Sequence, residues 1–177
     1  MNDWECLERA KRGEESAWRT LVERHHARLL GISLLITGSS SAAKDIAQES
    51  FVRLLDANVS HREGTVQGLL STIAYRLALK EKARGQRTED IAAINPANPS
   101  PSPLDELLAE ERDRLVAAAI RSLDPQHRDI LVLRFYGEHS YEEIAGLTGI
   151  PLGTVKSRIF YAVKSCQQFL RDKGLFA

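Results

Sequence analysis

The chain has little of the material that usually staples a small protein together. Only two cysteines, Cys6 and Cys166, occur in 177 residues, at opposite ends and without CxxC or histidine spacing. That excludes a disulfide framework and a thiolate zinc site, and two free thiols in a reducing compartment are expected. Aromatic residues make up 6% of the chain, and long alternating runs of β-branched residues are missing, so the usual material of sheets is absent. No apolar run approaches membrane-spanning length, and the opening MNDWECLERAKRGEE is too polar for a signal peptide. A cytoplasmic protein without membrane insertion is expected. Net charge is absent as well, with 24 basic residues against 24 acidic ones, which is not the balance of a typical free-standing nucleic-acid binder.

Catalytic signatures are equally scarce. There is no Gly-rich phosphate loop, no GxSxG, no HExxH and no Cys–His pair with an orienting third group at recognisable spacing, so the expectation is a non-enzyme with no catalytic residues and no cofactor. His25 and His26 are neighbours on a helix and point in different directions, without carboxylate or cysteine companions at ligand spacing. Packing or surface roles are expected for them, and no metal.

What is present is helix. Apolar residues form 43% of the chain, and Ala, Leu, Glu, Arg and Lys dominate its periodic segments, which predicts an all-α protein with its core in two modest bundles. Four helices are expected in residues 1–87, including SSAAKDIAQESFVRLLDAN and QGLLSTIAYRLALKEKARG. From Gly85 to Pro103 the chain carries four prolines and no helical period, which reads as a flexible linker, placed at 88–103. Residues 104–177 then form a second helical domain. The balanced charge hides local blocks: Arg76, Lys80, Lys82, Arg84 and Arg87 are basic, as are Lys156, Arg158 and Lys164. Asp105, Glu106, Glu110, Glu111 and Asp113 form an acidic block between them.

The stretch HSYEEIAGLTGIPLGTVKSRI has the clearest local design. Ser140 and Glu143 have the spacing of a capping box, Gly149 suits the left-handed residue that ends a helix, and Pro151 suits the first position of the next. On that second helix Val155, Ile159, Ala162 and Val163 fall on one side, which leaves Thr154, Lys156, Ser157, Arg158 and Tyr161 on or beside the outer surface. This is a helix-turn-helix, whose second helix is shaped for a major groove. A bare helical hairpin with solvated lysines is the competing reading.

In AAKDIAQESFVRLL, Ile46, Phe51, Leu54 and Leu55 form an inward stripe, while Asp45, Gln48 and Glu49 share an outer face. With these motifs in this order around a Pro-rich linker, the sequence resembles bacterial sigma factors of the extracytoplasmic-function type. LDPQHRDILVLRFYGEHSYEEIAGLTGIPLGTVKSRI is similar to region four, and EESAWRTLVERHHARLLGISLLITGSSSAAKDIAQESFVRLL with LLSTIAYRLALKEKAR is similar to region two.

The resemblance implies a transcription initiation factor whose partners are core RNA polymerase, promoter DNA and an anti-sigma factor. Asp45, Gln48 and Glu49 would meet the clamp helices of the polymerase largest subunit. His61, Arg62, Arg76, Lys80 and Arg84 would serve the minus-ten element, and Thr154, Lys156, Ser157, Arg158 and Tyr161 the minus-thirty-five element. Three positions depart from the family pattern. Lys44 stands where an acidic residue is common, and Leu69 and Arg76 stand where Trp and Asn are usual. After TVKSR, Phe160 and Tyr161 replace the arginines that often follow, which implies fewer phosphate contacts. Two rival readings remain at this level, a sigma-like decoy for an anti-sigma factor and a stand-alone helix-turn-helix regulator. Ser39, Ser40 and Ser41 precede the Asp45 helix, where one serves as a cap or phosphorylation adds negative charge that offsets Lys44.

Overall fold

The computed structural model describes residues 1–89 and 110–175. Among these residues are eight α-helices, one 3-10 turn and no strand. The first four are α1 (Asp3–Lys11), α2 (Glu15–Thr37), α3 (Ser40–Asp56) and α4 (Val66–Glu89), with the 3-10 turn (His61–Glu63) between the last two. The second four are α5 (Glu111–Ser122), α6 (Pro125–Phe135), α7 (Tyr141–Thr148) and α8 (Leu152–Asp172). Most of the expected linker lies outside the described residues, but α4 continues past Gly85 through Glu89. A lone glycine costs a helix about 1 kcal/mol relative to alanine, and the first proline comes only at Pro96, so nothing at Gly85 compels a stop.

Caps set the other boundaries. Asn2 and Glu5 exchange backbone-to-side-chain bonds of 2.9 Å each around the start of α1. Gly38, at φ +69°, closes α2 in the left-handed region, and the Ser39 hydroxyl then accepts from the Ala42 N–H at 3.2 Å to open α3. Asp124 accepts from the His127 N–H at 3.1 Å, with Pro125 as the first helical residue of α6. Each such cap is worth about 1 kcal/mol, because it satisfies a backbone donor that the helix cannot.

In the first unit α2, α3 and α4 pack on one another and α1 lies against α2. Ile46, Phe51 and Leu54 are buried as their spacing predicts, with Leu55 half-buried. Ala47, Ala74 and Ala78 are fully buried, and their small side chains let the helices approach closely. The Trp18 and Phe51 rings meet edge to face at 5.5 Å. One polar cluster borders this core, with His25 buried, Asp3 half-buried and Arg24 exposed: His25 Nε2 donates to Asp3 Oδ2 and Arg24 donates to Asp3 Oδ1, both at 2.8 Å. Burial pushes the Asp3 carboxyl up, but the hydrogen bonds and charges of Arg24 and His25 outweigh it and hold Asp3 below its ordinary value.

The second unit packs α5, α6 and α7 around α8, with Ile130, Leu133, Ile144, Val155, Ile159 and Ala162 buried. The two units are in contact. Helix α2 packs against α5 and α6, and the buried apolar residues of both units join in one cluster. The cause is visible in two helices. Residues Ile32 to Ile36 of α2 are buried consecutively, and so are Asp129 to Leu133 of α6. A helix apolar on every side has to be covered on every side. Each of these helices gets part of its cover from the other unit.

The seam has weak points. Asp129 and His139 are 9% and 4% exposed, yet Asp129 Oδ1 and His139 Nδ1 find no hydrogen-bond partner. A buried atom without a partner costs about 1–3 kcal/mol, and at Asp129 Oδ1 the ion pair with Arg128 Nε at 3.7 Å offsets part of that cost. Burial raises the Asp129 carboxyl despite Lys82 and Arg128 nearby, and burial lowers the His139 imidazole. Tyr75, buried beside Asp129, is pushed up to about 12.

Candidate nucleic-acid and protein interfaces

The helix-turn-helix is assembled by short-range bonds. The Ser140 hydroxyl accepts from the Glu143 N–H at 3.1 Å, and the Glu143 carboxylate accepts from the Ser140 N–H at 2.8 Å. Gly149 adopts φ +72° and returns its N–H to the Ala145 carbonyl at 2.9 Å. Pro151 sits one position earlier than its spacing suggests, as the N-cap of α8 with an extended ψ of 147°. Its fixed φ serves the turn there, and its carbonyl still accepts the first helical bond, from Val155 at 3.1 Å.

Along α8, Val155, Ile159 and Ala162 are buried and Val163 is half-buried, which anchors the helix to α6 and α7. Lys156, Ser157 and Tyr161 are exposed, while Thr154 and Arg158 are half-buried on the flanks. Phe160, which was not among the expected contacts, is 63% exposed and meets Tyr161 edge to face at 5.5 Å. Its signal was in the sequence: one step beyond the buried Ile159, helical geometry turns a side chain outward.

On α3, Asp45, Gln48 and Glu49 are all exposed opposite the buried stripe. Glu49 is bridged to Arg53 one turn on at 2.7 Å, whereas Asp45 has no ion-pair partner among the described residues. Ser39 is engaged as the cap of this helix.

The residues expected to serve the minus-ten element do not form one patch. Lys80 and Arg84 on α4 share a groove of about 210 Å³ with Asp45 and Glu49 of α3. This places basic side chains directly beside the acidic face. His61 and Arg62 lie on the exposed 3-10 turn. The His61 ring packs on Trp4 with centroids 4.6 Å apart, Glu8 lies 4.0 Å from its Nε2, and Lys11 bonds the Ala57 carbonyl. Helix α1 therefore braces the loop, through contacts across 46 residues or more that no local pattern announces. Arg76 lies elsewhere again, in a cleft of about 360 Å³ between the units.

Comparison with known proteins finds a family match in each unit. Residues 21–90 match the family described as sigma-70 region 2, and residues 113–166 match sigma-70, region 4. The chain is 30% identical over 189 residues to the RNA polymerase sigma-H factor of Pseudomonas aeruginosa, with 96% of each chain covered. It is also 30% identical over 169 residues to the ECF RNA polymerase sigma factor SigE of Mycolicibacterium smegmatis, covering 89% of this chain but 64% of that longer one. The fold is similar to that of the sigma factor RpoE of Bartonella quintana, solved with the anti-sigma factor NepR, at a TM-score of 0.61 and 19% identity over 86% of this chain and 96% of that one. The chain belongs to the sigma-70 family as an RNA polymerase sigma factor of the extracytoplasmic-function type, a transcription initiation factor and not an enzyme.

Proposed function

We propose that three sets of side chains, two of them adjoining in the groove between α3 and α4, carry the initiation activity of this chain. The exposed face of Asp45, Gln48 and Glu49 docks on the clamp helices of core polymerase, where carboxylates and an amide suit basic partners. The α4 residues Arg76, Lys80 and Arg84, with His61 and Arg62 of the loop, hold the minus-ten strand by charge and stacking. Helix α8 enters the major groove at the minus-thirty-five element with Thr154, Lys156, Ser157, Arg158 and Tyr161. The observation that carries the reading is the presence in one chain of a buried-backed polar face on α3 and a capped helix-turn-helix whose second helix turns its polar residues outward. The chain acts in the cytoplasm, and no helix among the described residues is long and apolar enough to cross a membrane. An anti-sigma factor is a further partner, by analogy with NepR on the Bartonella quintana relative.

Run-off transcription with core polymerase over a promoter library tests the whole. Transcripts support it, core binding without transcripts marks a decoy, and DNA binding without core marks a stand-alone regulator. A salt titration of holoenzyme sharpens the α8 assignment. Arg158→Ala should lower affinity on every sequence and reduce the salt slope by about one unit, as loss of a phosphate contact does. Lys156→Ala should cost about 1–3 kcal/mol on the matched element only. Wild-type affinity for both variants on both sequences would remove α8 from the groove.

A further inference from the structure

We propose that Trp4 of α1 is a positioning residue for minus-ten recognition, holding the His61 ring so that its open face stacks on one unpaired base. The proposal rests on reading the loop as part of the minus-ten surface. Trp4, Glu8 and Lys11 follow i, i+4 and i+7 spacing, which sets all three on one face of α1. Each of them reaches the loop: Trp4 meets the His61 ring, Glu8 stands 4.0 Å from its Nε2, and Lys11 bonds the Ala57 carbonyl where α3 ends. The helix behind that face is fixed. Cys6 and Leu7 are buried in the core, the capping box of Asn2 and Glu5 closes the first turn, and Asp3 is tied to Arg24 and His25 of α2. Trp4 thus has its place without help from the loop.

The ring geometry sets what Trp4 does for His61. The centroids lie 4.6 Å apart with the planes inclined at 39°, so the indole covers one face of the imidazole, yet 60% of the His61 side chain stays exposed. One face is backed and the other is open. An unpaired base stacks on an open π face whatever its identity, and a ring already held in place loses less freedom when the base arrives. Charge favours the same division of labour. The Glu8 carboxylate beside the Nε2 edge repels a phosphate there, so the strand's backbone falls to Arg62 and the basic residues of α4, and His61 is left with a base. The root of the loop is held as well, since Val59 packs on the apolar core.

Binding of holoenzyme to a dye-labelled single strand tests this. The strand carries the minus-ten element of a promoter that gives run-off transcripts, and each base in turn is replaced by an abasic site. With the wild-type chain one position should stand out, its abasic form binding about tenfold more weakly through lost stacking. His61→Ala should erase that penalty, weaken the intact strand about tenfold and leave the salt slope unchanged, whereas Arg62→Ala should reduce the slope by about 0.7. A reduced slope in His61→Ala would make the ring a phosphate contact and overturn the stacking. Trp4→Ala should shrink the abasic penalty to about threefold, and Trp4→Phe, which still backs the ring, should restore it. Trp4→Leu keeps apolar cover over the core, so it gives the same comparison if Trp4→Ala does not fold. A role in the fold alone would weaken every strand by one factor and leave the penalty intact; that result overturns the proposal, as does wild-type binding by both the Ala and Leu variants. If His61→Ala binds like wild type, the loop lies outside the minus-ten surface and the reading beneath the proposal falls too. If His61→Ala loses the penalty and the Trp4 variants keep it, the loop reading stands and only the role of Trp4 is lost.

Discussion

The two units hold their functional side chains by different means. In the second, the bonds that shape the helix-turn-helix join residues three to five apart: Asp124 to His127, Ser140 to Glu143, Ala145 to Gly149 and Arg134 to the His139 carbonyl. In the first, the bonds that place α1 and the loop cross much longer stretches, from Asp3 to Arg24 and His25, from Glu8 to His61 and from Lys11 to Ala57. A surface built by local caps tolerates distant change and yields to a change in its own turn. A surface built by long-range packing does the reverse.

Removing core from the first unit is the most severe way to test that contrast. Leu70 on α4 is fully buried, and Leu70→Ala should lower stability by about 2–5 kcal/mol in urea titration, through lost burial and the cavity left behind. The proposed polymerase face on α3 is next. Asp45→Arg with Glu49→Arg turns attraction at the clamp into repulsion and should weaken core binding by about 2 kcal/mol or more, with unchanged circular dichroism because both side chains are exposed. Unaltered affinity in the folded variant would move the polymerase contact off α3.

Asp3 gives a smaller effect with a pH signature. Its carboxyl is held below the ordinary value, so the stability it contributes is fully present above about pH 4, and it fades as pH falls through the lowered value. Asp3→Ala should cost about 1–2 kcal/mol at neutral pH, discounted for the partial exposure of the carboxylate. The gap between the two melting curves should close in strong acid. A gap that persists at pH 2 would mean that Asp3 acts through packing and not through its charge. The smallest effect belongs to the second unit, where Ser140→Ala removes one side of the capping box. About 1 kcal/mol of stability should be lost, without change in the first unit's affinity for core.

Much of the fold was legible because it is written at helical period. The buried residues of α3 and α8 follow i, i+3 and i+4 spacing, and the caps at Asp124, Ser140 and Gly149 are chemically distinctive. The candidate site was legible in part. Its members on α3 are exposed, as are Lys156, Ser157 and Tyr161 on α8 with Thr154 and Arg158 half-buried beside them, but the minus-ten set divides among a loop, a groove and a cleft. Nothing in the residues around Arg76 indicates that Glu138 and Glu143 would line the same cleft. Nor does the His61 loop show that Trp4 lies beneath it.

By itself the sequence determined which segments are helices, where the helix-turn-helix bends and which faces of α3 and α8 meet solvent. Each of those outcomes depends on groups a few residues apart, whose geometry the helix sets. Tertiary structure alone decided that α2 and α6 are covered on both sides, that His139 meets Thr72 and that Asp129 is buried without a full set of partners. Those outcomes depend on which of several apolar faces meet, and helical period marks a face as apolar without naming the face that will cover it.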